Sequence, residues 1–504
     1  MVSLSLLSIA LLTTPLFLFF FLRRWRRRHA PTSRRNPPPS PPKLPVLGNL
    51  HQMGPFPHRA LHSFSHRYGP LMLLHFGRVP VLVASSAEAA REIMKTQDLT
   101  FSNRPRLNIP GRLLYNYKDV AFAPYGEYWR RTRSICVLQL LSAKRVQSYR
   151  RLREEETSLM VENIARLGSS SAVVNLSDAL MSLTNDIICR VALGKKHGGG
   201  RNFRELLAEF EELIGVSPLW EYVPWLNWTR RFDSLDRRID RVTNAFDEFL
   251  EIVIQEHRNR EEREDIDDGG FDFVDILLKF QRDNQHSSPV EDDAIKAVIL
   301  NMFVAGTDTS ATTIEWTMVE LIRNPRTMKT LQNEVRKVVE SKGIIEEDDI
   351  EKMPYLKAVI KESLRLHLPV PLLIPRESTH DTKVQGYDVA SGTRVLINAW
   401  AISRDPCLWE KPEEFYAERF LDTSIDYKGL NFELIPFGAG RRGCPGITFA
   451  VAIVELAIAK LVHKFDFGLP DELIEKGLDM NETSGLTIRK KNPLLVIATP
   501  HTSG

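Results

Sequence analysis

Cysteine is scarce in this sequence, with four cysteines in 504 residues. So few cysteines exclude the small secreted proteins whose folds depend on a framework of disulfides. The four positions are Cys136, Cys189, Cys407 and Cys444, and none has the short paired spacing that holds zinc. Because free cysteines persist in reducing compartments, the sequence indicates a body that faces the cytosol.

A strong net charge is also absent, since the formal balance at pH 7 is +3. Seven arginines and no acidic residue fall within residues 1–35, so the remainder of the chain carries a slight excess of acidic residues. A protein that binds nucleic acid needs a basic surface to neutralise phosphates. The charge distribution therefore argues against nucleic acid as a partner.

The N-terminal segment is the longest stretch without charge. Residues 1–22 contain no charged side chain, and a run of arginines follows at 23–28. As a helix this stretch would span about 33 Å, the thickness of a bilayer core. A cleaved secretory signal is the alternative, which the missing basic n-region and cleavage motif disfavour. We predict a transmembrane anchor over 1–22, a basic stop-transfer and proline-rich hinge over 23–50, and one large domain over 51–504.

Helical patterns dominate the large domain, and no internal repeat is visible. The longest helical pattern covers 291–323, with a polar interruption over 306–310. Shorter helices are predicted over 327–341, 354–366 and 446–464, and strands near 71–77, 79–84, 383–398 and 484–498. The sequence therefore predicts a mainly α fold with a minor β portion.

The strongest signal is the loop FGAGRRGCPG over 437–446, which matches F-x-x-G-x-R-x-C-x-G at every specified position. Glycines let a backbone approach a flat cofactor closely. Arg442 can neutralise a carboxylate, and a helix that begins just after Cys444 favours a thiolate. An inert buried cysteine is the alternative, and it does not explain the rest of the loop.

At these residues the chain resembles the cytochrome P-450 family of haem-thiolate monooxygenases, and the resemblance covers essentially the whole chain. The form of this loop and of FVAGTDTS over 303–310 is similar to that of the plant microsomal A-type members. The resemblance implies the cytochrome P-450 fold, preceded by one N-terminal transmembrane helix. It also implies haem b as cofactor, bound by the 51–504 domain, with Cys444 as the axial ligand of its iron.

Further motifs match the same family. Glu362 and Arg365 stand three residues apart, as in its E-x-x-R, and Arg419 would complete a Glu-Arg-Arg network that supports the haem loop. The usual proline of the third motif is Ala417 here, a departure that affects the turn more than the charges.

The resemblance also implies residues that hold the haem. Trp129 and Arg133, one helical turn apart, could donate hydrogen bonds to a haem propionate, although an ordinary amphipathic helix would show the same spacing. Arg376 is a further expected partner of the propionates, together with Arg442. Phe437 opens the cysteine loop and is also expected at the cofactor.

The polar interruption AGTDTS over 305–310 corresponds to the family's oxygen-activation segment. An apolar helix has no structural need for three hydroxyls and an acid in succession, and a satisfied polar patch between helices is the alternative. The Thr309 hydroxyl can break the i−4 hydrogen bond and hold a water. Asp308 can relay protons from solvent, and Gly306 would leave room for O₂. Thr309 and Asp308 are therefore the predicted catalytic residues.

The chain carries no flavin module and no Rossmann fingerprint, that is, no glycine motif between the strand and helix of a βαβ unit. Electrons must then come from a partner. The resemblance implies an NADPH–cytochrome reductase, with cytochrome b5 as a second partner, at the endoplasmic reticulum membrane. A single-pass anchor would leave the catalytic domain in the cytosol. A basic docking face is expected from Arg130, Arg131, Lys144 and Arg145.

The expected pocket is apolar. By resemblance its lining includes Val304, Ala305, Val370, Leu372, Leu373 and Leu486, none of which is charged. A lipophilic substrate is therefore expected: a terpenoid, a coumarin or another phenylpropanoid of plant specialised metabolism, hydroxylated with O₂. One alternative is an aldoxime dehydratase or a multistep aldoxime-converting enzyme. A second is a non-catalytic, membrane-anchored haem-binding protein. The aromatic residues near 220–228 would form an access lid or touch the membrane.

Overall fold

The computed structural model describes residues 36–168, 173–196, 200–261, 271–284, 290–340 and 342–501. The anchor predicted over 1–22 and the basic part of the hinge lie outside these residues. Within the described ranges, none of the helices combines the length and the apolar character needed to span a bilayer.

Helices form most of the molecule, as the sequence predicts. They are α1 (Pro57–Tyr68), α2 (Ala87–Arg91), α3 (Asp98–Phe101), α4 (Asn108–Leu113), α5 (Glu127–Ile135), α6 (Ala143–Ser148), α7 (Arg150–Gly168), α8 (Leu176–Leu193), α9 (Gly200–Ile214), α10 (Leu219–Tyr222), α11 (Leu235–Glu261), α12 (Phe273–Asp283), α13 (Asp292–Arg323), α14 (Pro325–Val338), α15 (Glu347–Ile350), α16 (Pro354–Leu366), α17 (Ala399–Ile402), α18 (Ile447–Lys464) and α19 (Asp471–Lys476).

The β portion is small and divides into three sheets. The strands are β1 (Leu71–Phe76), β2 (Val79–Ala84), β3 (Val174–Asn175), β4 (Arg376–Glu377), β5 (Thr382–Val384), β6 (Tyr387–Val389), β7 (Arg394–Ile397), β8 (Phe465–Gly468) and β9 (Leu495–Pro500). A four-stranded sheet has the order β1-β2-β7-β4, in which only β2 and β7 are parallel. Strands β3, β9 and β8 form the second sheet, and β5 and β6 the third.

The predicted elements agree closely with the observed ones. The Ser86 hydroxyl caps α2 by accepting a hydrogen bond from the Ala89 amide. The four predicted helices appear as α13, α14, α16 and α18, and the strand region near 383–398 contains β5, β6 and β7. The strand expected over 484–498 is largely wrong, because β9 begins only at Leu495 and the segment before it forms loops that cross the interior.

The central helix α13 runs unbroken through the polar segment over 32 residues, about 48 Å. Its threonines explain the continuity. The hydroxyls of Thr309, Thr313 and Thr317 each donate to the carbonyl four residues earlier, at 2.6–2.8 Å. These three hydroxyls are thereby satisfied within the helix and do not break it.

The largest buried cluster surrounds α13 and draws apolar residues from α8, α11, α12, α16 and α18. Helix α13 packs against α18, at whose start Cys444 lies. A second cluster lies under the four-stranded sheet and beside the cysteine loop, and a third joins α1 to β1 and β2. The candidate site lies where these layers meet.

The described part of the predicted hinge, residues 36–50, is fixed to the body. The Pro39 carbonyl accepts a hydrogen bond from the Leu73 amide at 2.9 Å. The Asn36 amide donates to the Asp388 carboxylate at 2.6 Å, and the Asp388 amide donates to the Asn36 carbonyl at 2.7 Å. The proline-rich segment is therefore part of the folded domain from residue 36 onward.

Candidate haem and oxygen-activation site

The cysteine loop is held by its own backbone. The Cys444 amide donates to the Phe437 carbonyl at 2.9 Å, and the Gly443 amide donates to Gly440 at 3.0 Å. Gly440 has a φ of +68°, and a Cβ there would stand 2.2 Å from the Met94 carbonyl oxygen. The loop therefore requires glycine at this position for two reasons, its positive φ and its close approach to the helical turn that contains Met94.

The Cys444 side chain is exposed, yet burial among the surrounding residues raises the pKa of its thiol. The Gly446 amide, 3.4 Å from Sγ, and the Arg133 guanidinium act in the opposite direction on that pKa. The sequence predicted that the helix terminus would favour a thiolate. Without a bound metal ion, the rise in thiol pKa caused by burial outweighs the effect of the helix terminus. A coordinated metal ion deprotonates a thiol outright.

Arg442 and Trp129 stack on one another beneath the loop. The Arg442 guanidinium lies 4.0 Å from the centre of the Trp129 ring. It donates to the backbone carbonyls of Ser102 and Ala123 at 2.8 and 2.7 Å. The Trp129 indole N–H donates to the Val120 carbonyl at 3.0 Å. The expected propionate donor Trp129 is therefore already paired with the backbone, and its contribution here is to hold Arg442 flat against its ring.

The other two expected partners of the propionates also contact the cysteine loop. Arg133 donates to the Gly443 carbonyl at 2.6 Å, and Arg376 donates to the Ala439 carbonyl at 2.8 Å. Arg376 also pairs with the buried Asp98 carboxylate at 3.2 Å. Asp98 further accepts from the Arg441 amide at 3.1 Å, so one carboxylate joins α3 to β4 and to the loop. The sequence analysis missed Asp98.

A fourth buried arginine, Arg104, joins this group and was also missed. It donates to the carbonyls of Ala121, Ile374 and Pro375. Burial, and then the neighbouring guanidinium groups of Arg442, Arg376 and Arg133, hold the pKa of Arg104 well below its usual range. The sequence offers only the arginine-proline pair at 104–105 as a signal, which is too common to single out.

The residues present fit a haem. Burial and the neighbouring arginines lower the pKa of Arg442 to about 9, so this cluster holds positive charges that repel one another. The nearby acids do not balance them, because Asp98 is shared by two arginines and burial raises the pKa of Asp119 to about 6. Such a cluster needs further anions, and a haem carries two carboxylates. Cys444 and the arginine cluster would hold the iron and the carboxylates respectively.

The Glu-Arg-Arg motif forms the network expected from the sequence. Arg365 makes two hydrogen bonds to Glu362, at 2.8 and 2.9 Å, and both side chains are fully buried. Arg419 donates to the same carboxylate at 3.1 Å. Arg365 and Arg419 also donate to backbone carbonyls between 403 and 414. Ala417, which replaces the usual proline, is buried at the start of a 3-10 turn, and the charges keep their contacts.

One face of α13 is accessible near the middle of the helix. Ala305 is exposed although Phe303 and Thr307 on either side of it are buried, and Thr309 one turn further on is half-exposed. Gly306 lies on another face, where a Cβ would stand 2.5 Å from Ile188 Cδ1 of α8. Gly306 therefore has a packing reason, the close approach of two helices, and the expectation that it leaves room for O₂ stays a prediction.

Asp308 is buried on the side of α13 that faces the C-terminal segment. Its Oδ1 lies 2.6 Å from Arg489 Nε. Burial raises the pKa of the Asp308 carboxyl, and Arg489 opposes that rise. Arg489 also donates to Glu211 of α9. Neither Arg489 nor Glu211 was singled out from the sequence, because nothing in their local pattern marks them.

The predicted lining residues come from three segments, and the C-terminal segment contacts the one that contains Val370, Leu372 and Leu373. The Ile488 amide donates to the Pro369 carbonyl at 2.8 Å. A Cβ at Gly215, just after α9, would stand 2.6 Å from the Leu486 amide nitrogen. The C-terminal segment therefore reaches both α9 and the chain at 369–373. Leu373 has a φ of +53°, a strained conformation of the kind that collects at functional sites.

The lining residues are all part-exposed, although they pack against different clusters. Val304 and Leu486 pack against the main core, Leu373 against the cluster beside the cysteine loop, and Leu372 against the cluster of α1, β1 and β2. Ala305 and Val370 complete the set. Their common place in one substrate pocket stays a prediction.

The expected basic docking residues do not form one open surface. Arg130 and Lys144 are exposed, whereas Arg131 and Arg145 are half-buried. Arg131 lines a cavity of about 470 Å³ between α5, α12 and the start of α13. This cavity contains no residue of the cysteine loop, so it is separate from the candidate site.

Comparison with known proteins agrees with this geometry. Residues 38–496 match the family described as Cytochrome P450. "Cytochrome P450 71A6" of Nepeta racemosa is 68% identical over 478 residues, which cover 92% of this chain and 94% of that protein. "(+)-Menthofuran synthase" of Mentha piperita is 56% identical, over 92% of this chain and 93% of that protein.

A solved structure shares the fold. It is described as "Zebra fish cytochrome P450 another structure with Progesterone" and is 26% identical, with a TM-score of 0.76 over 88% of this chain and 99% of that one. Members of this family bind haem b and receive electrons from NAD(P)H through a reductase. The chain belongs to the cytochrome P450 family of haem monooxygenases, and its close relatives are plant A-type members.

Proposed function

We propose that this enzyme hydroxylates a lipophilic small molecule of plant specialised metabolism, foremost a terpenoid, with O₂ and electrons from NADPH. The observation that carries the proposal is the accessibility of Ala305 and Thr309 in the middle of α13, and the residues predicted to lie around them are uncharged and apolar. Such a surface suits a neutral lipophile and offers no partner to an anion.

The terpenoid class is placed first because of the relative from Mentha piperita, whose name gives menthofuran, a small terpenoid, as its product. Coumarins and other phenylpropanoids share the size and the low polarity of such a substrate. They therefore remain in the same experiment as competitors.

The residues of the chain divide the work. Cys444 would hold the haem iron, and Arg104, Arg133, Arg376 and Arg442 would hold the haem carboxylates. When bound, the haem supplies the activation of O₂ and the transfer of one oxygen atom to a C–H bond. The chain binds and orients the substrate on apolar side chains, and these also exclude water.

Proton supply is assigned to Thr309 and Asp308. The Thr309 hydroxyl donates to the Ala305 carbonyl at 2.6 Å, so its oxygen is free to accept a hydrogen bond from a water and to hold that water in place for proton transfer. Asp308 can exchange a proton with solvent-facing groups, since burial brings the pKa of its carboxyl upward from its usual range.

The remaining assignments follow from the family and the sequence. NADPH–cytochrome reductase would dock on the face that includes Arg130 and Lys144, with cytochrome b5 as a second electron donor. Residues 1–22 would anchor the chain in the endoplasmic reticulum membrane, with the catalytic domain in the cytosol.

The test is a titration of the purified ferric protein with terpenes, coumarins, other phenylpropanoids and aldoximes, followed at the Soret band. A high-spin shift with a neutral terpene, and a hydroxylated product with reductase and NADPH, is the expected result. A nitrogen-ligated low-spin shift with an aldoxime, together with a nitrile product, would replace hydroxylation by dehydration. A protein that binds haem but turns over no member of the panel would favour the non-catalytic alternative.

A further inference from the structure

One cation serves two buried carboxylates at the edge of the candidate site. Arg489 donates a hydrogen bond to Glu211 and lies 2.6 Å from Asp308. Asp308 is 1% exposed and Glu211 is 8% exposed. Two ionised carboxylates facing one guanidinium would leave an unbalanced buried negative charge, which is costly. Burial and the Asp308 charge raise the pKa of the Glu211 carboxyl, and burial raises the pKa of Asp308, so the pair favours keeping one proton between them.

The hydrogen bonding of the pair is incomplete. Among the described residues, Oε1 of Glu211 has no hydrogen-bond partner. The Asp308 oxygens make no hydrogen bond of good geometry, and the donors close to them are Arg489, Thr312 and Thr487. Buried polar atoms are rarely left in this state. A carboxylate with free lone pairs beside a cation is arranged to take up and release a proton.

The three groups come from three different elements. Asp308 lies on α13, Glu211 on α9 and Arg489 on the segment that precedes β9. The latter two elements contact each other directly, since the Leu486 amide nitrogen lies 2.6 Å from where a Cβ of Gly215 would be. A movement of α9 or of the C-terminal segment would therefore change the contacts of Arg489, and with them the charge of Asp308.

The other charged groups near Asp308 do not replace Arg489. Glu315, two turns further along α13, accepts a hydrogen bond from Ser177, and Lys490 affects its pKa more than Arg489 does. Burial raises the pKa of Glu315, and Lys490 opposes that rise. Thr312 and Thr487 are the neutral neighbours of Asp308. Arg489 is thus the cation that sets the charge of Asp308.

We propose that Arg489 and Glu211 are positioning residues for proton supply, because Glu211 competes with Asp308 for the Arg489 guanidinium and thereby sets how readily Asp308 takes up and releases its proton. The inference deepens the proposed function, on which it rests. It assigns control over the acid that serves Thr309 to α9 and to the C-terminal segment, which also carries the predicted substrate contact Leu486.

The signs of the two substitutions differ. Without Arg489, burial acts alone and raises the pKa of Asp308. When the solution is acidified, Asp308 is then protonated at a higher pH. Without the Glu211 charge, Arg489 serves Asp308 alone and the pKa of Asp308 falls. The measured quantity is the amount of product formed per NADPH, plotted against pH. Arg489→Gln therefore moves the acidic side of this profile to higher pH. Glu211→Gln moves it to lower pH.

The experiment compares Arg489→Gln, Arg489→Lys, Glu211→Gln and Glu209→Gln with the unaltered holoenzyme. Glu209 is the matched control, because it lies on the same helix and pairs with Arg238 and Arg241 instead. Product per NADPH is measured against pH for each protein. Infrared spectroscopy of the resting protein follows, over the same pH range, the C=O stretch of buried protonated carboxyls.

We expect shifts in opposite directions for Arg489→Gln and Glu211→Gln, a profile near the original for Arg489→Lys, and no shift for Glu209→Gln. We also expect Glu211→Gln to change the infrared band. Shifts in the same direction, no shift, or an equal shift in the Glu209 control would overturn the proposal. The infrared titration needs no turnover. It therefore shows whether Asp308 and Glu211 keep a proton between them even if no panel compound is hydroxylated. Glu211→Gln is isosteric, which keeps the test valid if Arg489→Gln does not fold.

Discussion

Arg133 of α5 donates a hydrogen bond of 2.6 Å to the carbonyl of Gly443, the residue immediately before Cys444. A single guanidinium thus connects the helix on one side of the site to the position of the sulfur on the other. Burial lowers the pKa of this arginine, and the Cys444 sulfur acts against that decrease. Its charge and its geometry therefore both bear on the cysteine.

Arg133→Gln should reduce haem occupancy several-fold, because it removes a hydrogen bond to the loop and one cation of the arginine cluster. The haem content per protein and the carbon-monoxide difference spectrum measure this. Arg130→Gln is the matched control, since Arg130 lies on the same helix and is exposed. Full haem content in Arg133→Gln would contradict the assigned role.

Glu362→Gln should destabilise the fold by about 3–5 kcal/mol, the usual cost of leaving a buried partner charge uncompensated. Arg365 would keep its backbone contacts but lose the carboxylate that neutralises it, and Arg419 would lose the same partner. Denaturant unfolding of the purified protein measures the change. Glu414→Gln serves as control, because its exposed pair with Lys411 should contribute no more than about 1 kcal/mol. Equal effects of the two substitutions would contradict the buried network.

Gly306→Ala should destabilise the protein by about 1–3 kcal/mol through overpacking against Ile188. Ile188→Val removes the Cδ1 atom that stands closest, so Gly306→Ala should cost less in that background. A double-mutant cycle of unfolding free energies measures the coupling between the two positions. Additive effects would show that the contact with α8 does not explain the glycine.

Thr309→Ala should leave the fold and haem content unchanged while several-fold more NADPH is consumed per product, with the difference appearing as hydrogen peroxide. The reason is the loss of the hydroxyl on the accessible face of α13. Thr313→Ala is an apt control, because the Thr313 hydroxyl makes the same i−4 hydrogen bond, one turn further along. Similar uncoupling in both variants would indicate a helix effect and not proton supply.

Local signals predicted much of the fold and of the site. The Ser86 cap, the helix over 354–366 and the Glu362–Arg365 pair depend on residues a few positions apart, and each was found where the sequence placed it. The cysteine loop is likewise a continuous segment, so its glycines and its cysteine could be read together.

Contacts between distant segments could not be predicted in the same way. Arg104 and Asp98 gain their importance from arginines more than 270 residues away, and Arg489 from an acid on α13. The packing of Gly306 against Ile188 is not visible from the local pattern either. Trp129 was given a free indole N–H because the path of the chain at Val120 was unknown.

The proline-rich segment covers a sheet edge at which a second copy of the chain could otherwise pair. Strand β1 is the edge of the four-stranded sheet, and an open edge invites pairing with another chain. The segment occupies that edge: Pro39 accepts from the Leu73 amide, and Asn49 bonds to both the amide and the carbonyl of His75. Because prolines have no N–H to donate, the segment that covers β1 offers few donors to a further strand, which disfavours pairing of a second copy at this edge.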